Sequence, residues 1–135
     1  MSTDGLNSSV DIVVSGLRAQ ATRMNVLASN IANANTTRTE TGEPYRRKAV
    51  VFSTLMDELQ GVDLVEIAPD MTTDFKRIFE PGHPEADSDG YVTMPNVDLP
   101  VEMMQMVAAS RAYHANAAML KRYQDMMDIT IELLR

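Results

Sequence analysis

The sequence predicts a mainly α protein, with a long helix at each end and a β-containing insertion between them. Three observations carry this reading. Apolar residues recur every seven positions over residues 6–33 and again over 101–134. Between those stretches the period shortens, and β-branched or aromatic runs alternate with turn residues. Charge divides the chain in the same places: residues 36–98 hold 6 basic and 13 acidic side chains, which is the whole net charge of −7, while both ends are neutral. The 135 residues therefore divide into an N-terminal helical segment, 1–35, an acidic insertion, 36–98, and a C-terminal helical segment, 99–135.

In the first helix, Val10, Leu17, Met24 and Ile31 form the seam. Leu6, Val13 or Val14, Ala21, and Leu27 or Ala28 fill the intermediate positions. Asp4, Asn7 or Ser8 can cap its start. Gly16 costs about 1 kcal/mol against Ala in a helix interior, so it is either tolerated or marks the close approach of a neighbour. Asn25, Asn30, Asn33 and Asn35 crowd the end of the stripe, although the Asn amide competes for backbone hydrogen bonds. Asn33 and Asn35 suit a helix stop. Asn30 and Asn33 also lie i, i+3 beside the seam, where amides can bond across a helix interface and fix its register. Polar-face positions and interface groups both remain open on spacing alone.

Met106, Tyr113, Leu120, Met127 and Leu134 form the seam of the second helix, widened by Met103, Ala109, Ala117, Tyr123 and Ile131. Pro95 and Pro100 mark its start, and Glu102 in the first turn and Arg135 at the end favour the helix dipole. Between the helices, residues 45–53, 61–67, 73–79 and 90–94 read as strands, and 81–90 as an acidic loop rich in Pro and Gly. Helices of these lengths would reach roughly 42 and 51 Å. Packed only on each other, they would leave wide Met- and Ala-rich stripes in water, and such patches mark association sites. We assign association to Val10, Leu17, Met24, Leu27 and Ile31 on the first helix, and to Met106, Tyr113, Leu120, Met127, Ile131 and Leu134 on the second.

Composition excludes several classes. With no Cys there is no disulfide framework or thiolate chemistry, and 11 Met with no Trp favour adaptable helix packing. No apolar run is long enough for a membrane span, and the N-terminus lacks the pattern of a cleaved signal peptide. That implies a cytoplasmic protein or export by a route that reads no such signal. The acidic balance disfavours nucleic acid, and the one basic cluster, Arg46–Arg47–Lys48, reads as a solvated strand face. His83 reads as an exposed loop residue, His114 as a packing or surface residue, and ADSDG (86–90) as a tight acidic turn without calcium-loop order. No phosphate loop, nucleophile elbow or paired-carboxylate pocket is present. We assign no catalytic, cofactor-binding or metal-binding residue.

The stretch SGLRAQATRMNVLASNIANANTTR (15–38) closely resembles the N-terminal motif of the bacterial flagellar axial family, the rod, hook and hook-associated subunits. GEPYRRKAVVF, FEPGHPEADSDGYVTMPNVDLP and VEMMQMVAASRAYHANAAMLK narrow the likeness to the C-type proximal rod members of that family. The resemblance implies an antiparallel coiled coil of the terminal helices lining an inner tube, with the acidic part outside it. It also implies transit through the flagellar type III export apparatus without a cleaved signal, and a place in the periplasmic rod. The partners implied are other proximal and distal rod proteins, the adaptor between rod and membrane ring, and copies of the chain itself. Asn30, Asn33 and Asn35 then become interface groups. The function expected is a structural subunit of a torque-transmitting drive shaft. The alternative from another class is a cytosolic coiled-coil adaptor or chaperone that binds a partner helix in a Met-rich groove.

Overall fold

A computed structural model of the chain describes the backbone of residues 3–54 and 62–133, and the side chains of 9–53, 62 and 66–133. The elements run α1 (Thr3–Ala32), β1 (Lys48–Thr54), β2 (Val62–Pro69), β3 (Lys76–Phe79), β4 (Tyr91–Met94) and α2 (Leu99–Leu133). The molecule is thus predominantly helical, with a small β insertion between two long helices. Leu134, Arg135 and Gly61 lie outside the described residues, as do the side chains of Asp4, Leu6, Asn7 and Ser8.

The start of α2 follows from local chemistry. The Asp98 side chain accepts the N–H of Val101 at 3.3 Å, and its carbonyl accepts the N–H of Glu102 at 2.9 Å. Asp98 therefore caps the helix, and Pro100 sits in the first turn, where a missing N–H removes no intrahelical bond. At the other junction, Asn33 closes α1. Its N–H and its side-chain amide both donate to the Ser29 carbonyl, at 3.1 and 2.8 Å, while its own carbonyl accepts the N–H of Thr36.

The chain divides into two units. One lies within Met1–Met24, Val51–Glu66 and Val107–Arg135. Here Gly16 resolves its two readings in favour of close approach: a Cβ at this position would stand 3.0 Å from the Asn116 Nδ2. Among the described residues, the buried ones of this unit are small, Ala19 and Ala109. Ser15 ties the helix to β2, donating its hydroxyl to the Ile12 carbonyl at 2.8 Å and accepting the N–H of Val62 at 3.0 Å.

The second unit comprises Asn25–Val50 and Ile67–Met106. Val26, Leu27, Tyr45, Val92 and Val97 are buried in it, together with Asn30, Asn96 and Glu102. β1 and β2 form one two-stranded sheet, and β3 and β4 another. In the latter the strands are antiparallel, with Lys76 opposite Met94 and Phe79 opposite Tyr91. The loop that joins them is built around Asp87, whose Oδ1 accepts the N–H of Asp89 at 3.0 Å and of Tyr91 at 2.8 Å. Its Oδ2 takes the Arg77 guanidinium at 2.5 Å. The acidic turn read from ADSDG is thus a self-contained clasp. The Tyr91 N–H holds the Asp87 carboxyl below its ordinary range, partial burial opposes this, and Arg77 adds to it. His83 is half-buried rather than exposed, because its Nδ1 accepts the N–H of Glu85 at 3.1 Å inside the same loop.

Gly90 closes the clasp with a φ of +81°, and a Cβ there would lie 2.9 Å from the Phe79 ring. Left-handed backbone and contact act together, so Gly90→Ala is expected to destabilise the hairpin by about 2 kcal/mol. Urea denaturation followed by circular dichroism reads this as a lower midpoint. An unchanged midpoint would contradict it.

Candidate assembly site

The buried amide of Asn30 organises the second unit. It is wholly enclosed, and each of its hydrogen-bonding positions is used. Nδ2 donates to the Lys48 carbonyl and to the Glu102 Oε2, both at 2.9 Å. Oδ1 accepts the N–H of Lys48 at 2.9 Å and the Tyr45 hydroxyl at 3.0 Å. One side chain thereby joins the end of α1, the start of β1 and the first turn of α2. Glu102, 1% exposed, completes the set by accepting the Arg47 Nε at 2.6 Å. A buried carboxylate needs such a charged partner, since an isolated one costs several kcal/mol.

Asn96 grips the same strand at the adjacent residue. Its Oδ1 accepts the N–H of Arg47 at 2.7 Å, and its Nδ2 donates to the carbonyls of Asp70 and Thr73 at 3.2 and 3.0 Å. The consecutive N–H groups of Arg47 and Lys48 are therefore taken by two buried amides. The sequence places residues 45–47 in a strand, yet β1 begins only at Lys48, because these backbone groups are committed to side chains. Arg46 donates to the Asp70 carbonyl at 3.1 Å and lies 4.2 Å over the Phe75 ring. The basic cluster is thus no solvated strand face: Arg46 and Arg47 are half-buried and only Lys48 is exposed.

Asp70 forms a turn of its own. Its carboxylate accepts the hydroxyls of Thr72 and Thr73 at 2.7 and 2.9 Å and their N–H groups at 3.0 and 3.1 Å. The two hydroxyls first, then the two N–H groups, hold it well below the usual carboxylate range. Arg47 stands 3.9 Å away.

Of the residues assigned to association, Leu27 and Asn30 are buried. Val10, Leu17, Met24, Ile31 and Asn33 on the first helical segment are half-buried, as are Met106, Tyr113, Leu120 and Met127 on the second. Asn35 and Ile131 are exposed, and Leu134 lies outside the described residues. The hydrogen-bonding capacity of Asn30 is spent within the chain. Sequence reasoning misses Tyr45, Arg47, Asn96 and Glu102 as members of this polar group. The one signal there is an acid in a helix start.

α2 has two dissimilar sides. Glu102, Ala109, Asn116, Leu120 and Tyr123 recur near seven-residue spacing and are buried or half-buried. The rest of the helix surface, with Met104, Val107 and Ile129 on the opposite side and Met119 and Met126 on its flank, is exposed and carries these large apolar residues among charged ones. The corresponding outer row of α1 is polar, with Asp11, Arg18 and Asn25.

Comparison with known proteins bears on the same elements. A family model described as flagella basal body rod protein matches residues 11–38, and one described as the flagellar basal body rod FlgEFG protein C-terminal matches residues 88–133. The flagellar basal-body rod protein FlgC of Agrobacterium fabrum is 39% identical over 98% of this chain and 97% of its own length. That of Yersinia enterocolitica is 44% identical over 91% of this chain and 93% of its own, and that of Bacillus subtilis 35% over 93% and 95%. The chain belongs to the FlgC family.

The two matched regions hold Asn30 on one side and Asn96 and Glu102 on the other, so in this FlgC-family chain the buried polar group joins them through Arg47 and Lys48. Asn30→Ala is expected to destabilise the chain by about 3 kcal/mol or more, because Glu102, Tyr45 and both backbone groups of Lys48 lose a buried partner at once. Urea unfolding measures this, and a loss under about 1 kcal/mol would show the group to be dispensable. Asp70 yields a pH signature. Its carboxyl is depressed in the folded chain, so its stabilisation is present above the ordinary carboxylate range and is lost as pH falls through the lowered folded value. The stability gap between the natural chain and Asp70→Asn should be full near pH 6 and shrink only below about pH 4. A gap unchanged at acid pH would refute this.

Proposed function

We propose that this chain is a non-catalytic structural subunit of the bacterial flagellar basal-body rod, polymerising through its terminal helices into a shaft that transmits torque. Membership of the FlgC family supports the rod location. The observation that carries polymerisation is the set of large apolar residues that α2 leaves exposed among its charged ones, Met104, Val107, Met119, Met126 and Ile129. Exposed apolar residues on a long helix mark an association surface, and one chain leaves Met126 and Ile129 more than half exposed.

The reading extends to an antiparallel coiled coil of segments 1–35 and 99–135 around an inner tube, with 36–98 outside it. Two contacts support that pairing. Within one unit Gly16 lies against Asn116, and within the other Asn30 bonds Glu102. The neighbours are copies of the chain, the other proximal rod proteins, the distal rod, and the adaptor that joins the rod to the membrane ring. Passage through the flagellar type III export apparatus without a cleaved signal, into the periplasmic rod, belongs to the same reading. The association set spans Val10, Leu17, Met24, Leu27, Ile31, Asn33 and Asn35, and Met106, Tyr113, Leu120, Met127, Ile131 and Leu134, with Asn30 holding their register from within.

Outer-side substitutions test this without touching the inner packing. Met126→Glu with Ile129→Glu should abolish swimming and remove the subunit from isolated basal bodies, while changing the stability of the free chain by under about 0.5 kcal/mol. Normal swimming by a host that carries only this variant would overturn the polymerisation reading.

A further inference from the structure

We infer that the β3–β4 hairpin of one copy docks on the outer side of α2 of a second copy, against the segment from Arg111 to Arg122. This rests on the assembly reading above and names one of its contacts.

The hairpin presents an apolar anchor where a hairpin tip is normally polar. All four residues of β3 are exposed, and Phe79 is 62% exposed. The ring is also held in place. It meets Tyr91 edge-on at 5.2 Å, while Gly90 gives it room that any side chain would fill. Arg77 lies 5.0 Å over Tyr91 and is itself tied to Asp87. A rigid, exposed aromatic gives up little conformational entropy on binding, and such residues dominate interface energies. Around it stand Glu80 and Asp89, exposed acids that form no ion pair with the described residues.

The outer side of α2 offers the complement. Arg111 and Arg122 are exposed and likewise form no ion pair with the described residues. Their eleven-residue separation is about three turns, so they lie on one side of the helix roughly 16 Å apart. Between them the exposed surface on that side is Ala115, Ala118 and Met119, apolar enough to bury a ring, with His114 and Lys121 at its edge. Acids around an aromatic on one surface thus match arginines around an apolar seat on the other, and arginine can in addition face the ring itself. Both surfaces are exposed. Because they are different patches of one molecule, their contact is heterologous. Repeated, it makes a ring or an open helix rather than a closed pair, which is the geometry a shaft needs.

Absence of cysteine makes the test clean. Two tagged single variants, Phe79→Cys and Ala115→Cys, are co-expressed in a flagellated host lacking its own copy. Isolated basal bodies are then treated with a short bismaleimide. The expected product is a dimer that carries both tags and is missing when either variant is expressed alone. Glu80→Cys with Met119→Cys repeats the experiment if Phe79→Cys assembles poorly. Both tags in basal bodies without a mixed dimer for either pair would overturn the docking and leave the rod reading standing. A chain carrying both substitutions that yields only an intrachain product would overturn the docking as well. Absence of the tagged natural chain from basal bodies would defeat the rod reading, and the docking with it.

Discussion

A buried amide with no alternative set of partners governs this fold. Asn30 makes four hydrogen bonds at 2.9–3.0 Å to three residues, Tyr45, Lys48 and Glu102. Apolar packing alone tolerates error here. A seam with Val, Leu, Met and Ile seven residues apart can slide one heptad, roughly 10 Å, and still bury apolar surface. A slide that separates Asn30 from Glu102 leaves a buried amide and a buried carboxylate unpaired, at several kcal/mol. A leucine at this position would add hydrophobic burial but would accept the wrong register. The polar group therefore contributes specificity more than net stability.

The same group sets how the acidic insertion leaves the helices. β1 begins at Lys48 only after two asparagines have taken the N–H groups of Arg47 and Lys48. Asn96 in turn holds the carbonyls of Asp70 and Thr73, and Asp70 donates its own N–H to the Arg47 carbonyl at 2.7 Å. Strand ends usually fray for want of partners. Here the first residues of β1 and the segment after β2 are fastened by side chains, so the hairpin of β3 and β4 starts from a fixed base. Its tip is fixed a second time by the Asp87 clasp. Two rigid points make an exposed aromatic such as Phe79 useful as an anchor, because its position is set before any partner arrives.

Both helices are legible in the sequence because their signal is local. Seven-residue recurrence needs only neighbouring positions, and it gives ends within a few residues of Thr3–Ala32 and Leu99–Leu133. The four strands are legible for the same reason, although their starts are read too early where backbone groups bond to side chains. The polar group is not legible. The partners of Asn30 stand 15, 18 and 72 residues away, and no spacing rule links such positions. Glu102 looks like a dipole partner in a first turn, a role that a solvated glutamate fills equally well. Arg47 looks like part of a basic strand face. Only the fold brings these three together, and each looks ordinary until it is paired. Gly16 is intermediate: its cost is visible in the sequence, but its reason, the Asn116 amide, is not.

The division of labour on α2 follows from these facts. Its inner side combines the buried Glu102 with Ala109, Asn116, Leu120 and Tyr123. Its outer side carries large flexible residues, Met104, Met119 and Met126 among them, whose unbranched side chains adapt to differently shaped neighbours. An inner side without a fixed polar group such as Glu102 would lose register, and an outer side made of rigid polar networks would accept only one neighbour. A subunit that meets several different surfaces needs the reverse assignment. The sequence supplies it by putting Glu102 and Ala109 on one side of a single helix and its exposed methionines on the other.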